Sequence, residues 1–125
     1  MIEKPSPVRT RERQGPMIAV IRIPHISNFT DFEPLQAVDG LAIRFIEKVQ
    51  PLDSFRAIIL PGSKNTRADL RWLHDSGWTT AIRKFERKGG HVTGICGGYQ
   101  MLGTAVLDPE GLEGQPGATD GLGLL

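Results

Sequence analysis

Glycines stand two residues to either side of the single cysteine in Gly94-Ile95-Cys96-Gly97-Gly98. The run before it, His91-Val92-Thr93-Gly94-Ile95, is short, partly β-branched and set off by Gly89-Gly90, which predicts a buried strand. The run after it, Tyr99-Gln100-Met101-Leu102, favours helix. A nucleophile between two such glycines has the spacing of a nucleophile elbow, a strained strand-to-helix turn whose flanking positions have no room for side chains. The turn would lift the Cys96 sulfur above the carboxyl edge of a sheet, at the positive end of the following helix. The Gly97 amide would face the same space, where an oxyanion could form. A buried, inert cysteine beside a glycine-rich turn is the competing reading.

The remaining apolar runs predict the sheet that such an elbow needs. Met17–Ile23 is nearly continuous in apolar character, as suits a central parallel strand, and Pro24 ends it. Thr30 or Asp31 can cap a short helix through Val38. Asp39-Gly40 marks a turn, Leu41–Ile46 a second strand, and Ala57-Ile58-Ile59-Leu60 a third. Asn65 or Thr66 would cap a helix with Asp69 in its first turn, Leu70 and Leu73 facing the core, and Gly77 closing it. Trp78, Ala81, Ile82 and Phe85 keep the i, i+3, i+4, i+7 spacing of a second helix, whose charges from Arg83 to Lys88 read as solvated surface. Alternation of this kind implies an open parallel α/β sheet. The glycine- and proline-rich stretch from Asp108 to Gly123 reads as loop, and Leu122, Leu124 and Leu125 as the opening of another buried strand. Met1–Pro16, rich in proline and arginine, reads as a linker or tail.

Bulk properties exclude several classes. At 125 residues the chain is one domain or part of one. A formal charge of +1 does not suggest nucleic-acid binding. One cysteine rules out an internal disulfide and fits a reducing, cytoplasmic setting. No run reaches the ~18 apolar residues of a membrane helix, and the N-terminus lacks a signal-peptide core. No metal ligand set is expected.

In an open parallel sheet, sites form at the carboxyl ends of strands. The loops at Pro24, at Pro61-Gly62 and at Cys96 all fall on that edge. Pro61-Gly62-Ser63-Lys64-Asn65-Thr66 offers free backbone N–H groups to an anion or oxyanion, but it lacks the G-x-x-x-x-G-K-[ST] spacing of a phosphate loop. A cysteine beside such a loop suits attack on a carboxamide or acyl carbon, which also requires a base. His91 lies roughly 16 Å upstream at ~3.3 Å per residue, too far to serve. His74 is placed inside a helix, facing solvent. His25 alone is on the correct edge, and its loop can equally serve packing or partner contact.

Three stretches carry a family resemblance: Ile21-Arg22-Ile23-Pro24-His25-Ile26-Ser27-Asn28-Phe29-Thr30-Asp31-Phe32, Leu60-Pro61-Gly62-Ser63-Lys64-Asn65-Thr66 with Asp69-Leu70, and Gly94 to Gly103. Together with Asp108-Pro109 and Gly121–Leu125 they resemble the glutamine amidotransferase domain of the cobyric acid synthase family, from about Met17 to the last residue. The resemblance implies a class I, flavodoxin-like α/β sheet with helices on both faces, of which residues 17–125 are the N-terminal part and the C-terminal part is missing. It implies Cys96 as catalytic nucleophile, Gly62 and Gly97 as the oxyanion hole, and Gly62, Ser63 and Gln100 as residues holding the substrate glutamine. It places the catalytic histidine beyond the elbow, outside this chain, so that the chain alone is expected to be inactive. It further implies partners in cis or in trans: the remaining amidotransferase half and a synthetase domain that uses ATP and magnesium to amidate a corrinoid. A non-catalytic α/β module and another cysteine-elbow enzyme of the same fold are the alternatives.

Overall fold

The computed structural model describes residues 15–28 and 32–125. The suggested caps Thr30 and Asp31, and the tail as far as residue 14, lie outside the described residues. Four strands, β1 (Met17–Ile21), β2 (Ala42–Ile46), β3 (Ala57–Leu60) and β4 (His91–Gly94), form one sheet in the order β2-β1-β3-β4. All three pairings are parallel, and the order is that of flavodoxin-like doubly wound sheets.

Period-two alternation sorts the strand side chains between two faces. Ala19, Ile21, Ile58 and Leu60 point into the larger core, where Leu70, Leu73, Trp78, Ile82, Phe85 and Met101 cover them. These come from α2 (Thr66–Ser76), α3 (Trp78–Arg87) and α4 (Gly97–Met101). Val20 and Ile59 point to the opposite face and pack on Phe32, the residue that starts the short α1 (Glu33–Gln36). Phe32 meets Phe45 edge-on, with ring centroids 5.7 Å apart. Helix α1 stops short of the expected Val38 and carries no side-chain cap. Asn65 caps α2 as expected, its Oδ1 accepting from the Ala68 amide at 3.1 Å. Gly77, at φ +93°, closes α2 and opens α3 in one residue.

The C-terminal quarter differs from its sequence reading. Within the expected loop, Gly117–Asp120 forms a strand, β6, paired antiparallel with β5 (Ala105–Asp108). A four-residue strand with only Ala118, Thr119 and Asp120 between glycines leaves no hydrophobic signal. Its support comes from elsewhere: Arg67, 6% exposed on α2, donates to Thr119 Oγ1 (3.0 Å), Asp108 Oδ2 (3.3 Å) and the Gln115 carbonyl. The segment after β6 is not a strand either. Leu122 is fully buried while Leu125 is 70% exposed. The Leu122 and Leu124 amides donate to the Met101 and Leu102 carbonyls, tying the segment to the end of α4 and not to the sheet. Arg83 is not simply solvated, because its Nε donates to the Leu122 carbonyl at 2.8 Å. His74 is half-buried and not free in solvent: its ring bridges Thr79 Oγ1 and the Asp120 carbonyl, each at 2.6 Å, and so ties the hairpin to α2 and α3.

Asp108 closes the hairpin loop. Its carboxylate accepts the Leu112 and Glu113 amides at 2.8 and 2.9 Å. The Glu113 amide above all, then the Leu112 amide and the Arg67 guanidinium, hold its carboxyl below the ordinary 3.8, against the opposing effect of burial. A depressed folded-state pKa contributes stability that is present above the unfolded value and lost as pH falls through the folded one. Hydrogen exchange at the Leu112 and Glu113 amides should therefore accelerate relative to intrinsic rates as pH drops below about 3.8. Asp108→Asn should remove that acid-side dependence.

Candidate active site

Parallel pairing puts the ends of β1, β3 and β4 on one edge, so the three loops singled out above lie together. Leu60 pairs with Gly94 at the last register position, and the Ile95 amide donates to the Leu60 carbonyl at 2.9 Å before the chain turns. Cys96 follows at φ +50° and ψ −115°. Among the described residues it is the one non-glycine with positive φ, a conformation that persists only where the surroundings impose it. They do so through close approach on both sides. A Cβ at Gly94 would lie 2.4 Å from Tyr99 Cα, and one at Gly98 would lie 2.0 Å from the Leu60 carbonyl oxygen. The strand and α4 are thus pressed together at backbone distance, and the turn between them is forced outward. Its cysteine is exposed.

The second loop arrives from β3. A Cβ at Gly62 would lie 3.8 Å from Cys96 Cβ and 2.6 Å from Ser27 Oγ. A Cβ at Gly97 would lie 3.3 Å from the Ser63 amide nitrogen and 2.7 Å from Thr66 Oγ1. The turns carrying Gly62-Ser63 and Cys96-Gly97 therefore adjoin. Among the described residues, no hydrogen bond occupies the amides of Gly62, Ser63 or Gly97. The third loop, from β1, is stitched to the second. The Ser27 amide donates to the Gly62 carbonyl (2.9 Å), the Lys64 amide to the His25 carbonyl (2.8 Å), and Ile26 bridges Ser63.

Ser63 contributes to this edge through its backbone. Its hydroxyl is committed within the loop, donating to Asp69 Oδ2 at 2.6 Å and accepting from the Asn65 amide at 3.0 Å. Gln100 lies one turn along α4 from Cys96. It lines a surface cavity of about 340 Å³ with Thr66, Ala105–Asp108, Leu112 and Glu113. Neither Cys96 nor Gly62 lines that cavity; Thr66 is the residue that touches both spaces. His25 is on the loop side of the edge, its Nδ1 held by Asp69 Oδ1 at 2.8 Å. Sequence reasoning missed Asp69, read only as a favourable first-turn acid of α2. Its signal was that Asn65 already caps the helix, which leaves a second acid there without a local task. Among the described residues, no helix is long and apolar enough to cross a membrane.

A flavodoxin-like sheet with an exposed cysteine at a strained strand-to-helix turn defines the class I glutamine amidotransferase-like fold. A solved structure of PurLQS from Thermotoga maritima shares it at TM-score 0.60 and 20% identity, over 78% of this chain and 50% of that one. Residues 17–125 match the CobB/CobQ-like glutamine amidotransferase domain, and the chain belongs to that family. Its curated relatives include the cobyric acid synthases of Chlorobaculum tepidum (50% identical over 86% of this chain) and Rhodobacter capsulatus (50% over 89%). That of Chlorobium phaeobacteroides strain DSM 266 is 47% identical over 98%. The chain spans 22%, 23% and 24% of those three proteins respectively.

Proposed function

We propose that this chain carries the nucleophile and oxyanion site of the glutamine-hydrolysing part of a cobyric acid synthase, which supplies ammonia for corrinoid amidation in cobalamin biosynthesis. The observation that carries the reading is the meeting, at one sheet edge, of the exposed Cys96-Gly97 turn with the Gly62-Ser63 turn, whose amides carry no hydrogen bond among the described residues. The Cys96 thiolate attacks the side-chain amide carbon of glutamine. A carbon–sulfur bond forms, and the carbonyl π pair moves to oxygen, where the Gly62 and Gly97 amides, with Ser63 beside them, receive the charge. The carbon–oxygen double bond re-forms as the amide nitrogen takes a proton and leaves as ammonia, giving a γ-glutamyl thioester. Water then releases glutamate and regenerates the thiol.

Ser63 and Gln100 are assigned to holding the rest of the glutamine, Ser63 through its amide. The proton relay needs a general base. Among the described residues no hydrogen bond reaches the Cys96 thiol; both ring nitrogens of His74 are bonded elsewhere, and the His25 ring is tied to Asp69 through Nδ1. The chain by itself is accordingly expected to turn glutamine over slowly, with the base supplied by a further part of the amidotransferase. The family resemblance places ATP and magnesium in a synthetase domain outside residues 17–125.

The test is alkylation by a glutamine-derived ketone electrophile. A single adduct that excess glutamine suppresses is expected. Absence of reaction, with the thiol still open to iodoacetamide, would favour the non-catalytic module. Rapid steady-state glutaminase activity of the chain alone would overturn the assignment of the base to another segment.

A further inference from the structure

Asp69 is an acid in an unusual place. It is completely buried, yet its hydrogen bonds serve no part of its own helix. Asn65 caps α2, while the Asp69 carboxylate faces outward to two loops. It accepts the Ser63 hydroxyl at 2.6 Å, the His25 amide at 3.1 and 3.2 Å, and His25 Nδ1 at 2.8 Å. Ser63 and His25 are the residues through which the β3 and β1 loops reach the site edge. The Ser63 hydroxyl in turn receives the Asn65 amide, so the turn from Gly62 to Asn65 is drawn around one carboxylate. The other ties between the loops are backbone bonds from Ser27 and Lys64. The loop that carries the Gly62 and Ser63 amides thus rests on a charged side chain whose acceptor capacity is filled.

We propose that Asp69 is a positioning residue for the oxyanion site: its buried carboxylate, acting through Ser63 and His25, holds the Gly62-Ser63 amides at the distance Cys96 requires. The inference rests on the reading of Cys96 as an acyl-accepting nucleophile. An oxyanion site depends on donors fixed before charge develops, so a small displacement of the turn weakens it out of proportion to its effect on the fold. Asparagine at position 69 would present an NH₂ donor to groups that themselves donate, and the turn would lose its side-chain tether, leaving the backbone bonds from Ser27 and Lys64.

The experiment compares two electrophiles on the full chain. Iodoacetamide reacts with Cys96 by displacement at a saturated carbon and needs no oxyanion donors. The glutamine-derived ketone places its carbonyl oxygen where those donors act. In Asp69→Asn the second-order rate with the ketone should fall about 10–100-fold, while the iodoacetamide rate stays within about twofold. Ser63→Ala keeps the Asp69–His25 contacts and the Ser63 amide, so it provides the same comparison should Asp69→Asn fail to fold. It should show the selective loss at smaller size. Equal slowing with both reagents, or no slowing with either, would overturn the positioning role. A wild-type chain that takes iodoacetamide but not the ketone would instead overturn the amidotransferase reading, and the inference with it.

Discussion

Gly98→Ala should cost the chain its fold, or at least more than about 3 kcal/mol of its stability. The added methyl carbon would stand 2.0 Å from the Leu60 carbonyl oxygen, 2.6 Å from the Leu60 carbonyl carbon and 2.7 Å from the Pro61 carbonyl oxygen, where ordinary contact begins at 3.4 Å. These are backbone atoms of β3 and of the loop after it, so no rotamer change relieves the overlap. Helix α4 would have to lift off the sheet, taking Met101 and Leu102 out of the main core. Gly94→Ala meets the same obstacle from the strand side, against Tyr99 Cα and N at 2.4 Å. With a total stability of about 5–15 kcal/mol for a natural domain, either change removes a large share. Denaturant unfolding followed by tryptophan fluorescence of the buried Trp78 reads the loss. Near-native midpoints for both variants would mean that α4 is not seated on β3 and β4 as described.

Cys96→Gly should have the opposite sign in stability and the larger effect on chemistry. Cys96 is held at φ +50° and ψ −115°, a conformation costing of the order of 1–3 kcal/mol in a residue with a side chain. Glycine relieves that strain but adds freedom to the unfolded chain, so the net expected gain is about 1 kcal/mol. The same change removes the sulfur, and covalent capture of glutamine or its ketone analogue should fall by at least ~10³-fold. A residue that destabilises the fold yet is indispensable to the reaction is the signature of a site kept under strain for function. A Cys96→Gly chain that is markedly less stable than wild type would show that the thiol serves packing.

What the sequence made legible follows from where hydrophobic period and glycine spacing dominate. Strands β1 and β3 were readable because they are central and run almost unbroken in apolar residues, whereas β4, expected as a buried strand, is an edge strand of exposed and half-buried residues that only its flanking glycines made legible. The elbow was readable because its two close approaches demand glycine at fixed offsets from one cysteine. The β5–β6 hairpin was not, because Gly117–Asp120 has no apolar face of its own and owes its place to a guanidinium 52 residues away in sequence. His74 was misjudged for a related reason. Its partners Thr79 and Asp120 belong to a helix start and a strand that local pattern does not bring together. In the candidate site, the shared edge of the Cys96 turn and the Pro61-Gly62 loop was legible, because both follow parallel strands. The contact of Asp69 with His25 spans 44 residues of sequence, so the partners of that carboxylate are seen in the folded loops.

Peptide mapping after acid quench of the chain mixed with the ketone analogue, with and without competing glutamine, bears most directly on the central claim. One modified peptide is expected, with the added mass on Cys96 and its yield suppressed by glutamine. An adduct on another residue, or Cys96 labelling indifferent to glutamine, would contradict it.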